Sequence, residues 1–362
     1  MDNPTLELMN RMNKMRAGLF ILLAILNAQI LFCQSSGNNQ EYKRGDVRIM
    51  FYNTENFFDT QDDSLKNDGE FLPEGKKSWT PKRYRLKALN LYKTIVAVGG
   101  ARPPEVVCFA EIENRYVLQE LTGKTPLEKY PYEIVHFDSP DRRGIDVGLI
   151  YRRDVIECIY RKAIPVTFPD NPQKATRDIL YAKFLVNSTD TLHLFVNHWP
   201  SRMGGIKKSE PFRSRAATIL RETIDSLLAA VPCSQIVITG DFNDEPINTS
   251  IKESLKAREP SGPFYCNELY NLSEGLQESC KCGTYRYQAS WDMLDQFMVS
   301  GALLNSEEDL TTCEDCLHIA DFDFLLTDDE KYGGKKPLRT YAGPVYKGGF
   351  SDHLPVYLDI FF

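Results

Sequence analysis

Five apolar segments of this sequence end in, or begin from, polar residues that hydrolytic chemistry can use. Asn53 and Glu55 follow Arg48–Tyr52, Glu111 follows Val106–Ala110, and Asn197 and His198 follow Leu192–Val196. Asp241 and Asn243 follow Ile236–Gly240, while Asp352 and His353 stand just before Leu354–Ile360. If these segments are strands of a sheet, their ends converge at one edge, where catalytic groups are commonly mounted. Hydrolysis of a phosphate ester asks for a cation to neutralise the phosphoryl oxygens, a base or orienter for water, and a donor for the leaving oxygen. The set supplies all three. Hard oxygen ligands from Asp, Glu and Asn suit Mg²⁺ or Mn²⁺, whereas zinc would draw on more His or Cys than converge here, so Mg²⁺ is the expected ion.

Each group also has a plainer reading. Gly240-Asp241-Phe242-Asn243 alone is a strand running into an Asx turn. Ser351-Asp352-His353 alone is a cap with a solvated histidine, and Asn53 with Glu55 a loop start. Glu111 is harder to dismiss, because a lone carboxylate ending so apolar a strand is costly to bury. The segment Ser201–Arg215 carries Arg202, Lys207, Lys208, Arg213 and Arg215 beside Gly204 and Gly205. It reads as a substrate-phosphate clamp led by Arg202, or as a solvated loop. Arg142, Arg143 and Asp146 make a similar charged approach to Val147–Tyr151, with Arg143 the candidate phosphate contact. His136, His193 and His318 read as structural or surface residues.

The elements that must position these groups follow from periodicity. Strands are expected at Val47–Tyr52, Glu105–Ala110, Val147–Tyr151, Thr191–Asn197, Gln235–Thr239, Gln296–Val299 and Val356–Ile360. Several are continuous apolar runs, as strands covered on both faces would be. A helix is expected at Pro211–Val231, with Leu220, Ile224, Leu227, Leu228 and Val231 on one face, and another at Pro81–Val98, with Leu91, Ile95 and Val98 on one face. The Asp-, Lys- and Gly-rich stretch up to Trp79 reads as an exposed loop.

Taken in order, Tyr52-Asn53-Thr54-Glu55-Asn56, Phe109-Ala110-Glu111, Val196-Asn197-His198, Gly240-Asp241-Phe242-Asn243, Leu294-Asp295-Gln296 and Ser351-Asp352-His353 resemble the endonuclease/exonuclease/phosphatase superfamily of DNase I-like phosphoesterases. The matches span nearly all of the chain after its first residues, and G-D-F-N and S-D-H are the specific ones. The resemblance implies an α/β fold, a four-layer sandwich of two central mixed sheets flanked by helices. It further implies Mg²⁺ held chiefly by Glu111, with Asn53, Glu55 and Asp352 nearby. By the same carry-over Asp241 orients or deprotonates water, Asn243 binds phosphate with Asn197 beside it, and Asp295 orients His353. His353 stabilises the phosphoryl charge or transfers a proton. His198 stands where the DNase-like branch has a histidine acid, although Trp199-Pro200 follows where many relatives carry leucine. Glu113 is the nearest candidate partner for it.

Composition bounds the rest. With 362 residues, 42% hydrophobic and 26% charged, the chain can enclose a substantial core. A net charge of −7 argues weakly against holding nucleic acid by a general basic surface, an objection that a bound cation removes. Arg11, Lys14 and Arg16 precede the apolar run Ala17–Phe32, which reads as a secretory leader, too short to span a membrane. Residues 1–34 are thus expected to be removed on export to the periplasm or medium, leaving 35–362 as one monomeric domain without a membrane span. Lipid attachment at Cys33 is disfavoured by bulky Phe32. Among nine cysteines, Cys280, Cys282, Cys313 and Cys316 form a cluster that suits disulfides, or a zinc site, in an oxidising compartment. Cys108 and Cys158 read as buried thiols. The leading functional expectation is a phosphodiesterase acting on nucleic acid. The alternatives are a hydrolase of small, sugar or lipid phosphates and a silent binding protein on the same fold.

Overall fold

The structure is a computed structural model, and it describes residues 44–362 apart from 281 and 306–308. The expected leader and Cys33 lie outside the described residues. In chain order come β1 (Val47–Phe57), α1 (Pro81–Gly99), β2 (Val106–Ile112), α2 (Arg115–Gly123), β3 (Tyr132–His136) and β4 (Asp146–Arg152). Next are β5 (Ile156–Ile164), β6 (Ile179–Val186), β7 (Asp190–His198), α3 (Ile206–Ala230), β8 (Gln235–Asp241), β9 (Ala257–Arg258), β10 (Leu269–Asn271) and α4 (Leu272–Cys280). The hairpin β11 (Tyr285–Tyr287) and β12 (Ser290–Asp292) leads to β13 (Asp295–Ser300), α5 (Ala302–Asn305) and β14 (Leu317–Ile319). The small ribbons β15 (Leu326–Asp328) with β16 (Lys335–Pro337), and β17 (Tyr341–Ala342) with β18 (Val345–Tyr346), precede β19 (Val356–Ile360).

Two mixed sheets result, ordered β14-β19-β1-β2-β4-β3 and β5-β6-β7-β8-β13-β10-β9. Their continuous apolar runs are explained by burial on both faces. In β1, Val47, Ile49 and Phe51 enter a core between the sheets, while Met50 and Tyr52 face a layer with Leu91, Ile95 and Val98 of α1. In β8, Val237 enters the inter-sheet core and Ile236 and Ile238 meet Leu220, Ile224 and Leu228 of α3. Alternation of side chains across each strand therefore feeds three apolar layers, giving helix, sheet, sheet, helix. Fully buried residues such as Leu194 contribute ~1.5–3 kcal/mol each from burial.

Several boundaries differ from expectation. The helix α3 begins at Ile206, five residues before Pro211, because Gly204 and Gly205 take positive φ and turn the chain into it. Pro211 then sits in the second turn, where it removes the bond to Lys207 O, and Val231 caps the end and is exposed. The stretch before α1 is not wholly a solvated loop: Phe71 and Trp79 are buried, and Trp79 Nε1 donates to Phe58 O at 2.9 Å. Thr80 then caps α1, with Pro81 at its first position. Strands β3, β5 and β6 were not legible in the sequence. Exposed Glu157, Tyr160 and Arg161 on β5 break the apolar signal of a sheet edge.

The cysteine cluster resolves into Cys280–Cys282 and Cys313–Cys316 disulfides rather than a zinc site. A Cys233–Cys266 disulfide, unforeseen from spacing, links the loop after α3 to the loop before β10. Cys108 is buried, whereas Cys158 is only half-buried. Among the described residues no helix is long and apolar enough to cross a membrane.

Candidate active site

Register places the expected residues together. Strand β1 runs parallel to β2, pairing Asn53 with Ala110, and β7 runs parallel to β8, pairing His198 with Asp241. Strand β13 runs antiparallel to β8 and sets Asp295 opposite Asp241. Antiparallel pairing of Val356 with Phe51 brings the turn before β19 back beside Asn53, where Ser351 Oγ donates to Asn53 O at 2.7 Å. The two sheets meet at this edge, as Asn53 Nδ2 donates to Asp241 Oδ2 at 2.9 Å. Gly240 is obligatory here, since a Cβ would overlap the carbonyl of Asn197. Glu111 and Asn243 hold left-handed conformations, φ +60° and +51°, which aim their side chains off the strand ends.

Asp241, Asp295 and His353 form the centre. His353 Nδ1 lies 2.6 Å from Asp295 Oδ2, and its Nε2 lies 3.9 Å from Asp241 Oδ2. Burial alone would lower the pKa of His353, but the charge and hydrogen bond of Asp295, with Asp241 and Asp352 beyond, raise it well above the ordinary value. Asp295 thus favours the imidazolium form of His353. His198 is the opposite case: burial, then the nearby Arg177, Arg143 and His353 charges, lower its pKa well below the ordinary value. Its Nε2 is 3.6 Å from Asp241 Oδ2 and 3.9 Å from Glu111 Oε1, while its Nδ1 has no hydrogen-bond partner among the described residues. That direction disfavours the protonated ring that the acid role implied by the resemblance would use. Glu113 is not its partner, as that carboxylate accepts from Asp59 N at 2.7 Å. Asp241 accepts from Asn53 Nδ2 and from Asn243 N, and burial followed by the charge of Asp295 raises its pKa against the pull of His353.

Three of the expected ligands or substrate contacts are occupied internally. Both oxygens of Glu55 are taken by the N–H groups of Thr340 and Tyr341, with Arg339 Nε at 3.4 Å. Glu55 thus brackets the loop that carries Arg339 rather than facing a cation. Asn197 is fully buried, donating to Thr239 O at 3.2 Å and accepting from Trp199 Nε1 at 3.1 Å, so it fixes Trp199 rather than contacting substrate. Asn53 accepts from Glu55 N and donates to Asp241, which makes it a brace between the sheets. Arg202 lines the cleft but is anchored on Asn243 O and on Asp292, each at 2.8 Å. Arg143 lines the same cleft half-exposed. Arg213, by contrast, is buried against Asp244.

Whether a cation suits the edge depends on free oxygens. Glu111 Oε2 accepts from Asn56 N at 3.0 Å and Asp352 Oδ2 from Arg339 at 2.6 Å, which leaves one oxygen of each without a hydrogen-bond donor among the described residues. One or two carboxylates, with water and substrate phosphate completing the shell, is the way Mg²⁺ is commonly bound. The free oxygens of Glu111 and Asp352 are hard donors of the kind such an ion takes. Tyr285, whose ring lies 4.9 Å from that of His353, and Arg339, tied to Asp352, were not singled out from sequence. Tyr285 opens the three-residue strand β11 and Arg339 lies on the loop after β16, and neither stretch is long enough to carry a periodic signal.

The cleft above this edge encloses about 930 Å³. Its far wall is the start of α3, where Gly205 provides no side-chain cap, so first-turn N–H groups and Lys207 and Lys208 present positive charge to it. A bound anion is the complement of that wall.

Solved structures share this architecture. A humanised D. rerio TDP2 matches with TM-score 0.53 at 15% identity, covering 87% of this chain and 99% of its own. The human nocturnin catalytic domain with bound sulfate matches with TM-score 0.50 at 16% identity, covering 87% and 93%. A Bacteroides thetaiotaomicron mannosyl-6-phosphatase matches with TM-score 0.50 at 16% identity, covering 87% and 100%. At these identities the likeness is one of fold. No curated protein matches by sequence. The family model described as Endonuclease/Exonuclease/phosphatase family matches residues 48–361, and with almost the whole described chain inside that match, the protein belongs to the endonuclease/exonuclease/phosphatase family.

Proposed function

We propose that this chain is a divalent-cation-dependent phosphoesterase that hydrolyses phosphodiester bonds by in-line attack of water, with nucleic acid as its first substrate class. The observation that carries the reading is the buried Asp295–His353 ion pair facing Asp241 on the floor of a cleft walled by positive charge. When bound at Glu111 and Asp352, Mg²⁺ would neutralise charge on the phosphoryl oxygens. Asp241, fixed by two N–H donors and made more basic by burial, orients the attacking water and accepts its proton. His353, kept charged by Asp295, donates to the phosphoryl oxygen on which charge develops. Asn243 Nδ2 uses one hydrogen on Trp199 O at 3.1 Å and has a second for phosphate. Neutral His198 braces the water side between Asp241 and Glu111. Arg143 and the α3 wall receive the rest of the anion.

The test is hydrolysis of plasmid DNA, bis-p-nitrophenyl phosphate and p-nitrophenyl phosphate with Mg²⁺, Mn²⁺ or chelator. Chelator-sensitive cleavage of DNA and diester is expected, with His353→Ala losing it. Cleavage of the monoester alone would make the enzyme a phosphatase, and inactivity on all three would leave the diesterase reading without support. We also read the enzyme as an exported monomer cleaved after its leader. Three disulfides favour that compartment. The mass and fractionation of the mature chain check it.

A further inference from the structure

A smaller cavity of about 240 Å³ adjoins the cleft and shares Arg143, Ser201 and Lys208 with it as a common wall. Lys174, Thr176 and Arg177 stand on its other side. Among the described lining residues Asp141 is the acid, and it is engaged by Arg177 at 3.2 Å and approached by Arg143 at 3.8 Å. Lys174 and Lys208 have no carboxylate partner among the described residues. The ammonium of Lys174 instead rests 4.1 Å from the ring centre of Phe212, which holds it at the cavity without neutralising it. The cavity is therefore cationic.

Its buried donors are also incomplete. Thr176 and Arg177 are 2% and 6% exposed, yet Thr176 Oγ1 and Arg177 Nε have no hydrogen-bond partner among the described residues. Each such orphan costs ~1–3 kcal/mol in a folded protein, and both line the same cationic cavity. Oxygens that only accept, on a group bearing negative charge, would satisfy them together with Lys174 and Lys208.

We infer that this cavity is a second phosphate subsite, and that the substrate carries a phosphate next to the one being hydrolysed, as an oligonucleotide or a nucleoside bisphosphate does. The assignment rests on the phosphoesterase reading of the adjoining cleft and narrows its substrate class.

Calorimetric binding in chelator tests it without turnover, using thymidine 3′,5′-bisphosphate and thymidine 5′-phosphate as probes. The wild-type chain should bind the bisphosphate about tenfold more tightly, the factor that a ~1.4 kcal/mol contact produces. Lys174→Gln should remove most of that preference and Lys174→Arg should keep it, while hydrolysis of the p-nitrophenyl ester of thymidine 5′-phosphate stays at the wild-type rate in both. Equal affinity for the two probes, or a preference that survives Lys174→Gln and Thr176→Val alike, overturns the subsite. A preserved preference in a wild-type chain that hydrolyses none of the esters supports the subsite and removes the phosphoesterase reading instead. Competition by 5′-phosphorylated dithymidylate identifies a nucleic-acid strand as the source of the second phosphate, and its failure while the bisphosphate binds identifies the small molecule.

Discussion

If Asp295 acts on the reaction through His353, the two residues must be non-additive. Asp295→Asn keeps the size of a fully buried side chain and removes its charge, so the 2.6 Å contact to His353 Nδ1 changes from a charge-assisted hydrogen bond to a neutral one. Such bonds contribute ~1.5–3 kcal/mol, against about 1 kcal/mol for neutral ones, and the ring loses the charge that opposes its burial. A loss in kcat of roughly 10- to 1,000-fold is expected at neutral pH. His353→Ala should cost roughly 10²–10⁴-fold, the span for one general acid or base. In the His353→Ala background, Asp295→Asn should then cost almost nothing further, as residues acting as a unit do. The assay is kcat on bis-p-nitrophenyl phosphate at saturating Mg²⁺ for the four proteins of the cycle. A denaturant midpoint for each shows that all are folded. If Asp295→Asn lowers kcat by the same factor with and without His353, Asp295 acts independently and the orienting role is wrong.

Other outcomes follow from single features. Glu111→Gln should raise the Mg²⁺ concentration needed for half-maximal rate by at least about tenfold, read by metal titration, because the chief free carboxylate oxygen is replaced by an amide. His193 is buried between strands and hydrogen-bonded to Tyr181 at 2.7 Å, and burial, with Lys183 nearby, lowers its pKa from 6.5 to about 4. Between those values the unfolded chain binds the proton and the native chain does not, so stability falls as pH drops from 6.5 towards 4, by up to ~3 kcal/mol for this group. Urea midpoints of the wild type and His193→Phe across that window should converge as pH falls, and parallel curves would exclude His193. Cys233→Ser with Cys266→Ser opens a link between residues 33 apart. It should lower unfolding free energy by ~4 kcal/mol if chain entropy governs, measured by denaturant titration, with kcat unchanged because the link lies away from the cleft.

Much of the site was legible because an apolar strand must stop somewhere, and a carboxylate or imidazole at that point is conspicuous. Glu111, Asp241, Asn243 and His353 all stand at the edge where their strand ends predicted them, and Asp295, which the resemblance implied, stands with them. Glu55 and Asn197 shared the same sequence signal, yet their side chains turn to Thr340 and Trp199. Spacing along a strand tells which end a residue occupies but not whether its oxygens are already claimed. That is settled by partners the fold supplies, Thr340 for Glu55, 285 residues on, and Thr239 for Asn197, 42 residues on. The same limit hid β5, whose exposed residues erase periodicity, and α3's early start, which depends on the backbone conformation of Gly204 and Gly205.

The sequence by itself determined the layers. Unbroken apolar strands need cover on both faces and amphipathic helices need a sheet to pack on, while the helix, sheet, sheet, helix order itself was what the resemblance implied. It also determined which residue types stand at the strand ends, and hence that hard-ligand phosphoester chemistry was the reading to test. Only the tertiary structure decided the protonation of the two histidines. Both are buried beside carboxylates, but His353 is hydrogen-bonded to Asp295, which raises its pKa, whereas for His198 burial and then the charges of Arg177 and Arg143 lower it. A pKa is set by the charges within a few ångströms, and those charges come from strands and loops that the fold alone brings together.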